Sequence, residues 1–185
     1  MRIVAGRFRG RALAALGKGD PAAHLRPTSD RTRESLFNIL AGGRFGDPVT
    51  DARVLDLFAG TGALGLEALS RGAAFATFVD DGMKALGLIR QNIALCGAEA
   101  ETRIVKRDAR RLPPNEDAPY DLVFLDPPYG KGLGEIALSN ALAQGWIAKD
   151  ALIVWEESAA IAPPDGVEVL DSRRYGDTVI TLLQA

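Results

Sequence analysis

Apolar and polar positions alternate along the chain with two different periods. From Val54 onward, short apolar runs of strand length are followed by segments whose apolar positions recur at helical spacing. The predicted strands cover residues 53–58, 75–79, 102–106, 121–125 and 151–156; the predicted helices cover residues 63–71, a segment from an Asp81 cap to Cys96, and residues 136–144; residues 167–171 and 178–183 form a closing β-hairpin. Strands that alternate with helices through short connections form a parallel sheet covered on both faces, so the pattern predicts an α/β fold.

The first 27 residues depart from this pattern and predict a small appendage. Two short apolar runs, residues 3–6 and the region of Leu13, flank an arginine-rich stretch and favour a small β-hairpin. Residues 28–30 offer capping side chains to a helix of about a dozen residues. We therefore expect a basic N-terminal hairpin and loop over residues 1–27 and one compact domain over residues 28–185.

Charge is distributed unevenly between these two units. The formal net charge is -2, yet residues 1–33 carry eight basic side chains against Asp20 and Asp30, a balance of +6. Arginines interleaved with Phe8 suit single-stranded nucleic acid, which needs phosphate neutralisation and a stacking face. The predicted RNA-binding residues are Arg7, Arg9, Arg11, Arg26, Arg31 and Arg33. The last two fall in the first turn of the predicted helix, where the helix dipole disfavours cations. A charged surface without a partner is the alternative.

Several classes of protein are disfavoured by composition. No apolar run approaches the roughly 18 residues of a membrane span, and the N-terminus lacks the apolar segment of a signal peptide, so we expect a cytoplasmic protein. The single cysteine, Cys96, falls among apolar helix positions and is expected in the core. The single histidine, His24, has no partners at metal-ligand spacing, so no metal site is expected.

Glycines and acids follow the predicted parallel strands, where such sheets bind ligands. Gly60, Gly62 and Gly65 match the GxGxxG pattern, and Asp80 lies about where a ribose-binding acid is expected, which fits a dinucleotide site. Asp56, however, would repel a pyrophosphate but can pair with an ammonium or sulfonium. S-adenosyl-L-methionine therefore fits better, with Asp80 on the ribose and Asp108 on the adenine amine. The predicted cofactor-binding residues are Asp56, Phe58, Gly60, Gly62, Asp80, Asp108, Ala109 and Asp126.

Asp126, Pro127, Pro128 and Tyr129 follow the predicted strand 121–125 and form the predicted catalytic set. Two consecutive prolines hold the chain extended, so the Asp126 carboxylate and the Pro127 carbonyl become two acceptors on a stiff support. An exocyclic amine on a base could donate to both while the Tyr129 ring stacks on the base. The alternative is that the prolines merely end a strand and Tyr129 packs locally.

Residues 56–68, taken together with residues 126–129, resemble the bacterial methyltransferase family that modifies guanine N2 in small-subunit (16S) ribosomal RNA. Residues 2–6, 26–28 and 31–38 and the late Tyr175-Gly176-Asp177-Thr178 match that family as well, so the resemblance covers nearly the whole chain. One departure is Asp80, where the family more often has glutamate.

The resemblance implies a class I (Rossmann-like) methyltransferase fold, a mostly parallel seven-stranded sheet with an antiparallel C-terminal hairpin. It also implies S-adenosyl-L-methionine as cofactor and, as substrate, ribosomal RNA or a small-subunit assembly intermediate; we expect a monomer. Two alternatives stay open. One is an amine methyltransferase acting on DNA or on a protein side-chain amide, and the other is a non-catalytic RNA-binding module on the same fold.

Overall fold

The computed structural model describes residues 1–15 and 29–185. The α-helices in these ranges are α1 Asp30–Ala41, α2 Ala63–Ser70, α3 Met83–Cys96 and α4 Leu133–Ala143. The strands are β1 Arg53–Leu57, β2 Phe75–Asp80, β3 Thr102–Lys106, β4 Tyr120–Leu125, β5 Ile147–Glu157, β6 Glu168–Tyr175 and β7 Thr178–Gln184. The elements predicted from residue 28 onward are all present, with bounds shifted by a few residues, whereas the predicted N-terminal β-hairpin is reduced within residues 1–15 to a single bridge.

The strands form one seven-stranded sheet in the order β3-β2-β1-β4-β5-β7-β6. Strands β1 to β5 pair in parallel, whereas β7 is antiparallel to both β5 and β6. This arrangement confirms the predicted fold; β6 itself runs in the direction of the parallel strands. Because the strand order reverses between β1 and β4, the crevice at their carboxyl ends is the expected ligand site.

The helix caps agree with the sequence prediction at α1 and differ from it at α3. The Ser29 hydroxyl accepts from Thr32 N at 3.1 Å, as expected for an N-cap. Asp81 does not cap α3, because Gly82 is the N-cap residue and its N–H donates to the Asp80 carboxylate at 2.8 Å. The predicted cap is therefore wrong by one residue. Asp80, at the end of β2, binds the main chain at the start of α3.

Residues 1–15, called here the N-terminal segment, pack against α2 and α3. Arg2 and Ala12 form an isolated antiparallel bridge, and the chain between them turns without forming regular strands. Ile3 and Leu13 are buried in the same hydrophobic cluster as the strands and α1. The described part of the predicted appendage therefore shares its core with the rest of the protein.

A fully buried carboxylate on α2, that of Glu67, holds this segment in place. It accepts main-chain hydrogen bonds from Val4 at 2.8 Å and Ala5 at 3.0 Å. It also accepts from Arg71 Nε at 2.8 Å, and Arg33 Nε lies 3.5 Å away. A buried acid needs such donors to offset its desolvation, so Glu67 joins the N-terminal segment, α1 and α2 at one point.

Candidate active site

The strand register brings the predicted acids to one edge of the sheet. Leu57 of β1 pairs with Val79 of β2 and with Leu125 of β4. The next residues along these strands therefore lie side by side, which places Asp80 and Asp126 on either side of the end of β1. With neighbouring strands about 4.8 Å apart, the two acids are separated by roughly 10 Å across the crevice.

The turn after β1 is built from left-handed backbone. Phe58, Gly60 and Gly62 have φ values of 58°, 59° and 76°. For Phe58, which has a side chain, this conformation costs about 1–2 kcal/mol, and such strain is concentrated at functional sites. The turn is fixed by Asp80, whose Oδ2 accepts from Gly60 N at 2.9 Å. The predicted residues of the glycine turn are thus brought together with the predicted ribose acid.

Asp80 ties two loops together through its carboxylate. While Oδ2 accepts from the glycine turn, Oδ1 accepts from Gly82 N at the start of α3. Burial raises the pKa of Asp80, and the two main-chain N–H donors oppose that rise. The side chain is half-buried, so it retains an accessible face toward the crevice.

Asp56 lies beneath the glycine turn. Its side chain is buried and accepts from Gly65 N at 3.0 Å, which anchors the first turn of α2. Gly65 has no room for a side chain, since a Cβ there would lie 2.5 Å from the Phe78 ring. Burial raises the pKa of Asp56 to about 8, the Gly65 N–H opposes this, and the charge of Asp80 adds to it. Its predicted pairing with a cationic cofactor tail stays a prediction.

Asp108 and Ala109 form the wall of the crevice after β3. Asp108 caps the short 3-10 turn Ala109–Arg111, and Ala109 is buried beneath it. The Asp108 carboxylate accepts from Arg110 Nη2 at 2.6 Å and from Arg110 Nε at 2.9 Å. This guanidinium holds the pKa of Asp108 below its usual value. An adenine amine bound to Asp108 would therefore share the carboxylate with Arg110.

The Asp126-Pro127-Pro128-Tyr129 stretch leaves the end of β4 into the same crevice. Pro127 is buried, and the other three residues are half-buried. The Tyr129 hydroxyl donates to Glu156 Oε1 at 2.6 Å and lies 3.2 Å from Thr178 Oγ1. Burial, and next the hydrogen bond to Glu156, raise the pKa of Tyr129, so the hydroxyl stays a donor. The far end of the aromatic ring is thereby attached to β5 and β7.

Glu156 and Thr178 are not among the site residues predicted from the sequence. Glu156 ends a predicted strand, and Thr178 belongs to the Tyr175-Gly176-Asp177-Thr178 stretch that contributed to the family resemblance. That stretch could have indicated Thr178 as a site residue, because local structure alone does not explain why these four residues occur together. The contact with Tyr129 depends on β7 lying next to β5, which the sequence does not reveal.

The predicted RNA-binding arginines are divided between two positions. Arg7, Arg9 and Arg11 are exposed on the turn Arg7–Arg11, called here the arginine turn. Arg7 pairs with Glu101, just before β3, and its main-chain N–H donates to Ser70 O at the end of α2. The arginine turn is therefore at the amino edge of the sheet, about 17–20 Å along the strands from Asp126.

Arg33 does not occupy the exposed position that the sequence predicted. Its side chain is 0% exposed, and its guanidinium donates to Asp30 Oδ1 at 2.8 Å and to the Arg2 carbonyl, and faces Glu67. These acceptors explain the cation in the first helical turn, so the predicted RNA contact of Arg33 is corrected to a structural role. Arg31 is exposed, and Arg26 lies outside the described residues.

A second basic cluster, missed at the sequence level, lies at the carboxyl edge itself. It consists of Lys106 and Arg107 at the end of β3 and of Arg110 and Arg111 on the 3-10 turn. Lys106, Arg107 and Arg111 are exposed. The four cations on either side of Asp108 are visible in the sequence and could have indicated a second basic surface, but the prediction for this stretch concerned only Asp108 and Ala109. We call these four residues the edge cluster.

Other candidate sites are absent or remote within residues 1–15 and 29–185. No group of acids, cysteines or histidines there is suited to hold a metal ion. None of the helices in the same ranges is long and apolar enough to cross a membrane. A cavity of about 610 Å³ opens at the amino edge between Arg44, Asp121 and Asp150, on the opposite side from the strand ends that carry Asp80 and Asp126.

Comparison with known proteins identifies relatives over the whole length of the chain. Residues 1–184 match the family described as Conserved hypothetical protein 95. Ribosomal RNA small subunit methyltransferase D of Escherichia coli K12 is 40% identical over 156 residues, which cover 84% of this chain and 74% of that protein. The protein of the same name from Haemophilus influenzae is 33% identical over 189 residues, covering 100% and 93%. The solved structure of yhhF from Escherichia coli superposes with a TM-score of 0.83 at 37% identity, covering 100% of this chain and 97% of that one.

Proposed function

Because the chain belongs to the family described as Conserved hypothetical protein 95, we propose that it methylates small-subunit ribosomal RNA, using S-adenosyl-L-methionine. We further propose that the acceptor is the exocyclic N2 amine of a guanine. The observation that carries the proposal is the single crevice in which the Asp80 and glycine-turn pair faces the Asp126-Pro127-Pro128-Tyr129 stretch. In this proposal the protein is a cytoplasmic monomer that acts on ribosomal RNA or on an assembling subunit.

The chemistry of the crevice fits this cofactor. Asp80 retains an accessible face that can accept from ribose hydroxyls, while its hydrogen bonds to the two loops keep the carboxylate oriented. The glycine turn allows main chain to approach the amino-acid tail, and Asp80 can place negative charge beside it. Burial raises the pKa of Asp56 to about 8, and a cationic tail bound next to it would favour its ionised form. The cofactor supplies an electrophilic methyl group on a sulfonium.

Asp126 and Pro127 would activate the acceptor amine. The lone pair of this amine is delocalised into the purine. Hydrogen bonds from its two N–H groups to the Asp126 carboxylate and the Pro127 carbonyl favour a pyramidal, more nucleophilic nitrogen. The Asp126 carboxylate also stabilises the positive charge that develops on this nitrogen, and the proton can then leave to Asp126 or to water. The Tyr129 ring stacks on the base and aligns the nitrogen with the methyl group, which contributes through orientation.

The RNA would contact the protein on both basic surfaces. The edge cluster lies beside the crevice, where phosphates adjoining the target nucleotide would pass. The arginine turn and Arg31 would contact more distant phosphates, since a structured RNA easily spans 20 Å. Arg26 stays in the proposal as a prediction from sequence.

The test is single-turnover methyl transfer to 16S ribosomal RNA, followed by identification of the modified nucleoside. Asp126→Asn is expected to lower the rate on the order of a hundredfold while cofactor binding is retained, because shape is kept and charge is lost. Asp126→Ala should be slower still. Asp165→Asn, an exposed loop acid, is the matched control.

Three outcomes would contradict parts of the proposal. A near-normal rate for Asp126→Ala at saturating RNA and cofactor would refute the mechanism. A modified nucleoside other than N2-methylguanine would refute the acceptor. Transfer to DNA or to a protein amide in preference to RNA, or no transfer by a protein that binds RNA, would support the alternative functions.

A further inference from the structure

Tyr129 is held at its hydroxyl by residues from two strands, β5 and β7. Its O–H donates to Glu156 Oε1 at 2.6 Å, and Thr178 Oγ1 is 3.2 Å from the same oxygen. Glu156 lies near the end of β5, where it pairs with Ile180 of β7, and Thr178 is the first residue of β7. The ring therefore connects the end of β4 to the end of β5 and to the start of β7.

The Glu156 carboxylate is costly at this position unless it has a specific partner. Its residue is only 7% exposed, among apolar neighbours on β5 and β7. Burying a carboxylate is unfavourable unless hydrogen bonds offset the lost hydration. If this position only had to fill space, an apolar side chain would pack there without that cost. The short charge-assisted bond from Tyr129 is the type of interaction that offsets such a cost.

The following turn is held by the next acid along β5. Glu157 Oε1 accepts from Gly130 N at 3.1 Å, directly after Tyr129. Tyr129 is thus restrained at its side-chain tip and at the adjoining main chain by two consecutive residues. A ring that must stack on an incoming base gains from such prior ordering, because less rotational freedom is lost on binding.

We propose that Glu156 is a positioning residue for the methyl-transfer reaction: together with Thr178 it holds the Tyr129 ring in the orientation that receives the target base. This inference rests on the proposed function. It assigns Glu156 no contact with the substrate or the cofactor, so in this inference the effect of Glu156 on methyl transfer passes through Tyr129.

The test is a double-mutant cycle between Glu156 and Tyr129, read as kcat/KM for RNA methylation. Tyr129→Phe keeps the ring but removes its anchor, and Glu156→Ala removes the acceptor; each is expected to lower kcat/KM about tenfold, with cofactor affinity unchanged. The double variant should be no worse than either single variant, since both remove the same interaction. Glu156→Gln keeps an oxygen acceptor and should recover most of the activity. Glu168→Ala, an exposed acid on β6, is the control.

A second measurement does not depend on activity. Ring-labelled tyrosine gives signals for Tyr120, Tyr129 and Tyr175, assigned by substitution. Glu156→Ala should shift and narrow the Tyr129 signal through faster ring motion while Tyr120 is unchanged. If Glu156→Ala does not fold, Thr178→Val serves for the comparison of the ring signal, and Thr178→Val with Tyr129→Phe serves for the double-mutant cycle.

The outcomes separate this inference from the proposed function. If the wild-type protein methylates no RNA, the proposed function fails, and the ring signal alone decides whether Glu156 orders Tyr129. Additive losses in the cycle, together with an unchanged Tyr129 signal, would overturn the inference. So would a loss of cofactor affinity in Glu156→Ala as large as the loss of kcat/KM, because that would indicate general damage to the crevice.

Discussion

Replacing Glu67 by glutamine should reveal how strongly the N-terminal segment is fixed to the domain. The carboxylate is fully buried and accepts from Val4 N, Ala5 N and Arg71 Nε, with Arg33 Nε at 3.5 Å. A glutamine has one acceptor oxygen, and its NH₂ group would point at a main-chain or guanidinium donor. The substitution also removes a negative charge beside Arg33, whose side chain is 0% exposed.

The expected loss of stability is about 3–5 kcal/mol, the range for removing one partner of a buried ion pair. For a chain of 185 residues this corresponds to a fall in Tm of roughly 10 °C. Urea denaturation followed by circular dichroism measures the first value, and a thermal melt measures the second. Limited trypsin digestion should in parallel cleave the arginine turn faster, because a glutamine cannot accept from both Val4 N and Ala5 N through separate oxygens.

The matched control is Glu34→Gln on the exposed face of α1, which should change stability by less than about 0.5 kcal/mol. An unfolding free energy of Glu67→Gln within about 1 kcal/mol of the wild-type value would refute the reasoning. It would mean that Asp30 alone compensates Arg33 and that the segment is held mainly by the burial of Ile3 and Leu13.

Three further predictions concern the crevice and its surroundings. Burial raises the pKa of Asp56 from 3.8 to about 8, so between these two pH values the folded chain holds more protons than the unfolded chain. The free energy of unfolding should therefore fall as pH rises through this range, by up to ~1.4 kcal/mol per pH unit. Urea titrations of Asp56→Asn should lack this pH dependence. The asparagine of Asp80→Asn can accept from only one of the two loop N–H groups and offers the ribose no charge. Calorimetry should therefore show cofactor binding weakened by about 1.5–3 kcal/mol. An unchanged affinity would remove Asp80 from the site. Neutralising Lys106 and Arg107 should reduce the slope of log affinity against log salt concentration for RNA binding by about one unit per lost phosphate contact, and should lower kcat/KM. Neutralising the arginine turn should reduce the same slope with little effect on the single-turnover rate. The opposite result would mean that the arginine turn, and not the edge cluster, lies next to the target nucleotide.

The sheet and its row of acids could be predicted because both depend on local sequence patterns. Apolar runs of strand length identify β1, β2 and β4, and a parallel sheet necessarily brings their carboxyl ends to one edge. Arg33 was placed wrongly for the opposite reason. A cation in the first turn of a helix predicts an exposed side chain, and the buried acid that pairs with this one, Glu67, is 34 positions away in the sequence.

The support of Tyr129 could not be predicted, because it depends on which strands become neighbours. Glu156 is 27 positions from Tyr129, and Thr178 is 49 positions away. A hairpin prediction leaves open whether β6 or β7 lies against β5, and only the observed order brings Thr178 to the crevice. Sequence patterns therefore located the groups proposed to react but not the residues that contact Tyr129.

The position of β7 between β5 and β6 has a consequence for synthesis on the ribosome. Strand β6 is translated before β7 yet pairs with it, so β6 cannot join the sheet until β7 has been inserted beside β5. Chains are made from the N-terminus, and contacts of high sequence separation form late. The glycine turn, Asp80 and Asp126 can thus assemble on a nascent chain while Tyr129 still lacks Thr178. Under the proposed function, the ability to receive a base would then be acquired last, after the loops proposed to bind the cofactor have assembled.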